Sequence, residues 1–486
     1  MNFSQLSATD IAAHIASREI SCEDIVRHFI REEELWNPRL NAMVENRWDE
    51  ALAEAREKDA FLAENPEAEL PPLFGVPVTI KEMIAVEGFH STMGSIHRKD
   101  NIKSKDASVV KRLKDAGAII LGTTNVPELG FWFECENPIY GATSNPYDLT
   151  RTAGGSSGGE AALIGAGASV LGLGSDVGGS IRMPASFCGV FGHKPSNRIV
   201  PATGHEPVDF DNALEMTGSK YPLTTIGPLA RKAKDLRLAM ELIIGPDGYD
   251  QEVKKDFKLS PPIESWEGAK VWILPSPTMT MVAGTDEDMS EAVLMAGKYL
   301  EGMGAELKTL RHDFFKSAIL LWSAGLAEVE GETFEKLLFE NEHPSIPLEI
   351  FRSFTTEAKY TLPGLLTTVA ERISTKFQKH TAQLEELNRL RDQLNQLLAG
   401  KNILILPAHP RKAPKLHSTY LRPFDFAMTA IFNVLGVPAT AVPIAQNEGL
   451  PTGVQIISAW GQDHVTLSAA ESLEQAFGGW QAPEVL

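Results

Sequence analysis

The apolar positions of this chain change their period as the sequence advances. Near the start they recur at helical spacing. Ile11, Ile15 and Ile20 follow Ser7-Ala-Thr-Asp, a capping-type signature in which the first side chain accepts from a free helix N–H. Asp49 to Glu64 is rich in alanine and charge and predicts an exposed helix. Residues 1–68 therefore read as a helical N-terminal region.

From 70 to 235 the pattern is one of short apolar runs among many glycines. Val76–Ile80, Ala118–Leu121 and Val170–Leu173 predict short buried strands, with a helix over Ser108–Ala116 between the first two. That alternation predicts an α/β sheet with helical cover. Residues 240–400 read as mostly helical, ending in a long polar helix over Phe377–Leu398 that Gly400 stops. In 401–486, Ile403–Leu406, Ala439–Val442 and Val454–Ile457 predict strands, and the last helix is expected near Leu467–Ala476. No repeat, low-complexity tract or linker interrupts the chain, so 1–486 reads as one large domain.

Charge and composition narrow the partners. There are 64 acidic and 45 basic residues, for a formal net charge of -19. Nucleic acid and anionic membranes are poor partners for such a surface. The three cysteines, Cys22, Cys135 and Cys188, are far apart and form no CxxC pair. That count argues against a disulfide framework or a thiolate zinc site and fits a reducing compartment. Met1 to Asp10 has no basic segment followed by an apolar one, so no secretory signal is expected. No apolar run approaches the ~20 residues that cross a bilayer. A cytoplasmic location follows as the expectation.

Candidate chemistry sits in two Gly/Ser turns. Gly154-Gly-Ser-Ser-Gly-Gly159 has the composition of a flexible loop, but a small-residue helix over Glu160–Ala168 and a strand over Val170–Ser175 follow it. The helix rises roughly 13 Å and the strand returns about 20 Å. The second turn, Gly178-Gly179-Ser180, therefore lies at the same end as Ser156. The amides of Val177, Gly178, Gly179 and Ser180 are placed to form an oxyanion hole, and glycine lets a carbonyl approach closely. Lys81 ends the strand Val76–Ile80. Such a lysine ordinarily reaches solvent. As a base it must be buried, with its pKa depressed.

Rival chemistry is weaker. Gly154–Gly158 formally matches G-x-S-x-G, but the nucleophile elbow needs a buried strand feeding the turn, and Asn145–Ala153 reads as turn chemistry. His193, His409 and His464 are the candidates for a Ser–His–Asp triad, and none has distinctive context. There is no HExxH motif, hence no metalloprotease signal. Gly172, Gly174 and Gly178 miss the dinucleotide fingerprint by one position. Cys188 reads as a small buried residue.

The stretch Gly154–Lys194, with its two Gly/Ser loops and Gly178-Gly-Ser-Ile-Arg182, resembles the signature of the amidase signature family. Phe74-Gly-Val-Pro-Val-Thr-Ile-Lys-Glu82 is similar to the family's lysine strand, and Thr123–Glu128 and Gly227–Arg231 also fit. Within the family, Phe191–Ser196, Leu421–Phe426, Asp463–Leu467 and Phe477–Trp480 resemble fatty-acid amide hydrolases of the second type. The resemblance covers essentially the whole chain. It implies a large mixed sheet covered by helices on both faces. It also implies a triad of Ser180 as nucleophile, Ser156 as bridging serine held by a cis peptide, and Lys81 as base. Asp176, Arg182 and Ser157 support it, and neither metal nor cofactor takes part. The substrate is a small-molecule amide, and a homodimer stays open. Animal members carry a membrane-spanning N-terminal segment, a feature not seen here. Pocket walls in the family come partly from Gly130, Phe131, Trp132 and Phe133 and from the helical insertion, where Trp322 is a candidate.

Three functions follow for comparison. One is a free-standing amidase of hydrophobic acyl amides. A second is the glutaminase subunit of a transamidosome, although Pro195-Ser-Asn-Arg-Ile-Val-Pro201 does not resemble that subunit's continuation. The third is a non-catalytic binding protein on the same fold, against which the three triad positions argue.

Overall fold

Ile403 and Ile405 pack into one hydrophobic core, whereas Leu404 and Leu406 pack into another. Successive strand residues point to opposite faces, so this strand separates two cores and both faces of its sheet are covered. That double burial is why the strand reads as an unbroken apolar run. The computed structural model describes residues 3–207, 223–329, 333–340, 342–355, 358–374 and 380–484.

Eleven strands form the central sheet. In chain order they are β1 (Met43–Asn46), β2 (Pro77–Lys81), β3 (Ile119–Thr124), β8 (Leu171–Asp176), β9 (Phe191–Lys194), β10 (Thr225–Ala230), β11 (Lys270–Ile273), β12 (Glu306–Thr309), β13 (Ile403–Leu406), β14 (Ala439–Asn447) and β15 (Leu450–Ile457). Two small hairpins supply the others, β4 (Glu136–Asn137) with β5 (Gly141–Ala142) and β6 (Ser144–Asn145) with β7 (Asp148–Thr152). The spatial order is β1-β3-β2-β8-β10-β9-β14-β15-β13-β11-β12. β3, β2 and β8 run parallel, as do β13, β11 and β12, and the remaining neighbours are antiparallel. The molecule is therefore α/β with a large mixed sheet, as expected.

The capping signature is realised: Ser7 Oγ accepts from the Asp10 N–H at 2.9 Å, and the Ser7 N–H donates to Asp10 Oδ2 at 3.2 Å. That helix covers Ala8–Ala16 and stops short of Ile20, because Arg18 takes a left-handed φ of 62°. The helix over Ser108–Asp115 and the strands β2, β3, β8, β13, β14 and β15 lie where the pattern predicts them. The long polar helix is described over Thr381–Leu397, and residues 377–379 of its expected start lie outside the described residues. The region 240–400 also contributes β11 and β12 to the sheet, which its helical pattern did not suggest.

Two features of this frame set the site. β2 and β8 are parallel neighbours, with Thr79 opposite Gly172 and Ile80 opposite Leu173. Their carboxyl ends, Lys81 and Asp176, thus lie side by side. The helix Gly158–Ala166 is buried at every residue. Its glycines make that fit: a Cβ on Gly165 would lie 2.7 Å from the Cys188 carbonyl oxygen.

Candidate active site

Lys81 is the last residue of β2 and is wholly buried. Its Nζ lies 2.7 Å from Ser156 Oγ, 2.9 Å from Ser175 Oγ and 3.4 Å from the Ser175 carbonyl oxygen. Burial disfavours the ammonium and lowers its pKa to about 7, although the Asp176 carboxylate pulls the other way. A neutral amine has two N–H donors and one lone pair. Three neighbours match that set when Ser156 is the one that donates to nitrogen.

Ser156 is 3% exposed, and the Gly155–Ser156 peptide is cis. Ser157, next to it, bridges both backbone polar groups of Ser175: it donates to the carbonyl at 3.2 Å and accepts the N–H at 3.3 Å. The Ser157 N–H donates to the Ser180 carbonyl at 3.0 Å. Ser157 therefore joins the first Gly/Ser loop to β8 and to the second loop. Ser175 was missed in the sequence. On β8 it shares a face with Leu171 and Leu173, and alternation along that strand was the signal available.

The second turn is organised around Asp176. Its carboxylate accepts the Gly179 N–H at 2.6 Å and the Ile181 N–H at 3.0 Å, and Asn433 Nδ2 at 2.9 Å. Arg182 completes the shell through Nε and Nη2. Burial alone would raise the Asp176 carboxyl, but the Arg182 guanidinium and these hydrogen bonds hold it well below the usual carboxylate range. The expectation of four oxyanion amides needs adjustment, because the Gly179 N–H is already given to Asp176. The amides of Val177, Gly178 and Ser180 donate to no other atom among the described residues. Gly179 has φ of 124°, and a Cβ there would collide with the Thr429 hydroxyl. Ser180 is half-buried.

Aromatic rings stand beside these loops. Trp322 Nε1 donates to the Val177 carbonyl at 3.0 Å. Its ring centroid is 6.2 Å from that of Phe131 and 5.0 Å from that of Phe426. Phe426, which the sequence did not single out, lies 3.4 Å from where a Cβ on Gly178 would sit. A Cβ on Gly130 would be 3.8 Å from Ser156 Oγ. Trp132 and Phe131 also line a small cleft with Glu128, Glu134 and Tyr420, whose free space of ≈ 10 Å³ is about that of one water. Phe133 is buried and stacks on Trp132 at 5.1 Å.

The rival arrangements do not assemble. His193 is bonded on both ring nitrogens, to Thr440 Oγ1 at 2.8 Å and Asp463 Oδ1 at 3.2 Å. His409 Nδ1 meets the Arg411 carbonyl at 2.9 Å. Among the described residues, neither ring, nor that of His464, meets Ser156 or Ser180. β7 does precede the first Gly/Ser loop, but it is a half-exposed hairpin strand outside the main sheet. Cys188 is buried, and burial raises its thiol pKa. Glu134, Glu136 and His417 bring one donor atom each within 4.8 Å of one another. Both Glu134 oxygens already accept hydrogen bonds, from the His417 N–H at 2.5 Å and Thr419 Oγ1 at 2.7 Å. No helix among the described residues is long and apolar enough to cross a membrane.

Known proteins resemble this arrangement throughout. The amidase family model matches residues 24–467. The chain is 36% identical to fatty-acid amide hydrolase 2 of Homo sapiens, over 98% of this chain and 90% of that protein. It is 31% identical to a glutamyl-tRNA(Gln) amidotransferase component from Methanosarcina barkeri, over 88% of both. A solved fatty acid amide hydrolase superposes with a TM-score of 0.80 at 22% identity, covering 98% of this chain and 86% of that one, a likeness of fold.

Proposed function

Because the chain belongs to the amidase signature family and is a hydrolase of carbon–nitrogen amide bonds, we propose that it cleaves amides of hydrophobic acids through Ser180, Ser156 and Lys81. The observation that carries this reading is the 2.7 Å contact between a buried Lys81 Nζ, of pKa about 7, and Ser156 Oγ. Lys81 accepts the Ser156 proton, and Ser156 accepts that of Ser180. Ser180 Oγ attacks the carbonyl carbon, and the carbonyl π pair moves onto oxygen. The amides of Val177, Gly178 and Ser180 stabilise that oxyanion. Ser156 then delivers its proton to the amide nitrogen and regains one from Lys81, the oxyanion pair re-forms the carbonyl as the C–N bond breaks, and the amine leaves an acyl-Ser180 ester. Water attacks the ester by the same relay and releases the acid. An amide nitrogen leaves poorly until it is protonated, so the proton path decides whether amides react.

Hydrophobic acids are supported by the rings of Phe131, Trp322 and Phe426 beside the oxyanion loop and by the likeness to fatty-acid amide hydrolase 2. A second reading, as the glutaminase of a larger complex, draws on the 31% identity to the amidotransferase component. The purified chain alone separates the two. It should hydrolyse decanoyl p-nitroanilide without a partner, and a fluorophosphonate probe should label Ser180. Labelling at Ser156 would reverse the two serines. Activity on glutamine alone, dependent on added partner proteins, would favour the second reading.

A further inference from the structure

In the helix that follows Ser156, a carboxyl group is buried against the sheet without a cation bonded to it. Glu160 lies in the first turn of the helix Gly158–Ala166 and is wholly buried. Its Oε1 accepts from Thr79 Oγ1, and its Oε2 accepts from Thr124 Oγ1 at 2.9 Å. Thr79 Oγ1 also lies 2.9 Å from Ser169 Oγ, past the far end of the helix. A Cβ on Gly172 of β8 would collide with the Glu160 carboxyl, so that strand is bare where the acid enters. Burying an acid without a cation is costly, and a glutamine would meet the same two hydroxyls with a smaller penalty.

The partners of Glu160 tie it to the base. Thr79 and Lys81 are two residues apart on β2 and share one face. Thr124 ends β3 and is the register partner of Lys81. Glu160 thus grips both strands within two residues of Lys81, and its own helix starts two residues after Ser156. The 2.7 Å contact between Lys81 and Ser156 spans the two elements that Glu160 joins.

Charge points the same way. Lys81 is faced by Glu82 at the end of its own strand, Asp176 from β8, Cys135 from the segment before β4, His205, and Glu160 from the helix. Asp176 is paired with Arg182, and Glu82 receives the Thr92 and Met93 amides. Burial keeps Cys135 a thiol and the His205 ring neutral. Glu160 makes no ion pair among the described residues, and the other acid that faces it is the buried Glu33. Burial raises the Glu160 carboxyl to about 7, while the two threonine hydroxyls and Lys81 draw it down. A carboxylate at Glu160 and an ammonium at Lys81 therefore stabilise each other.

We propose that Glu160 is a positioning residue of the relay: it holds Lys81 and Ser156 at proton-transfer distance and supplies the negative charge that stabilises the ammonium formed when Lys81 takes the Ser156 proton. In that step the proton passes from Ser156 Oγ to Lys81 Nζ, and Glu160 neither makes nor breaks a covalent bond. The proposal rests on the reading of Lys81 as the base.

Glu160→Gln keeps the shape and removes the charge. In protein carrying lysine labelled at its ε-carbon, the Lys81 signal is the one absent from Lys81→Met, and its titration is read by NMR. The Lys81 midpoint should fall by at least about half a pH unit in Glu160→Gln. The kcat/KM profile for decanoyl p-nitroanilide should move to lower pH with it, with kcat down about tenfold and KM within about twofold of the wild type. Thr124→Val removes one anchor and keeps the charge, and it tests the same assignment if Glu160→Gln does not fold. Its kcat should fall at least about threefold with KM unchanged, and Thr124→Ser should restore most of that loss. An unmoved Lys81 midpoint in Glu160→Gln, or a wild-type kcat in Thr124→Val, overturns the assignment. A Lys81 midpoint that moves while the kcat/KM profile stays in place leaves the hold of Glu160 on Lys81 standing and removes Lys81 as the base.

Discussion

Asp176 and Arg182 meet as a fork: Nε lies 3.0 Å from Oδ2 and Nη2 lies 2.9 Å from Oδ1, with neither side chain exposed. The remaining guanidinium donors reach the Thr429 carbonyl at 2.9 Å, Gln455 Oε1 at 3.0 Å and Asn433 Oδ1 at 2.6 Å. All five N–H groups are thereby used, and only a planar guanidinium offers that set. The same carboxylate holds the Gly179 and Ile181 amides. The ion pair therefore fixes the curvature of the turn that carries Ser180.

Arg182→Met should cost about 3–5 kcal/mol at pH 7, because it leaves a buried carboxylate unpaired. Arg182→Lys should also fall short, since an ammonium cannot reach all five acceptors. The sign with pH is definite. In the wild type, Asp176 is held below its unfolded value, so its stabilisation is present at neutral pH and is lost as pH falls through the folded value. In Arg182→Met, burial raises the carboxyl, which takes up its proton sooner. The stability gap between variant and wild type should narrow from pH 7 to pH 4 in urea denaturation. A gap independent of pH would mean that Asp176 is not the group left uncompensated.

As the proposed base, Lys81 should set the pH profile. Its folded pKa of about 7 lies below the ordinary lysine value, so the neutral base predominates above pH 7. kcat/KM for a neutral amide should rise with pH, level off above about 7, and become low and flat in Lys81→Met, with a loss of roughly 10²–10⁴. Stability moves with the same group. Between the folded and unfolded pKa values the unfolded chain binds more protons, so the burial penalty is full below pH 7 and is relieved as pH rises. Lys81→Met should therefore be thermally more stable than the wild type at pH 6. Near-wild-type turnover in that variant would remove lysine from the mechanism.

Ser175 is a positioning residue, since its contacts are with Lys81 and Ser157. Ser175→Ala should lower kcat on the order of tenfold and leave KM nearly unchanged, because it misplaces the base without touching the acyl wall. Its pH profile should shift from the wild-type midpoint, and Ser175→Thr, which keeps the hydroxyl, should restore part of the rate. A change confined to KM would place Ser175 in substrate binding.

What the sequence discloses follows local physics. Ser156, Ser180 and Lys81 stand out because glycine-rich turns and a lysine after an apolar strand are local patterns. The strand β10 does not, since Gly227 and Pro228 interrupt it, and proline ordinarily argues against a central strand. β12 is half-exposed and polar, so alternation is faint there. Ser175 offers only the alternation of its strand, and Phe426 and Thr429 act through contacts across the fold that no spacing encodes. The Gly179 amide shows the same limit from the other side: the turn was legible, but its N–H is claimed by a carboxylate whose orientation Arg182 and Asn433 determine.

The acyl group is where the two functional readings part most sharply. If the rings of Phe131, Trp322 and Phe426 line the acyl pocket, each buried methylene contributes about 0.8 kcal/mol. That is roughly fourfold in kcat/KM per carbon until the pocket is full. A series of p-nitroanilides from acetyl to dodecanoyl, without detergent, should rise and then level, and decanoyl should exceed acetyl by orders of magnitude. Phe131→Ala removes one ring without touching the Trp322 bond to the Val177 carbonyl. It should lower the slope for the carbons that met that ring and leave the acetyl rate within about threefold, because the first carbon meets the oxyanion loop instead. If the rings are only core, the pocket is small and polar. Rates would then be flat or fall with length, glutamine would outrun decanoyl, and Phe131→Ala would change stability and leave the slope alone. A flat series would sink the hydrophobic assignment while the amide hydrolase itself stands, since the proposed relay from Lys81 to Ser180 does not involve the acyl wall.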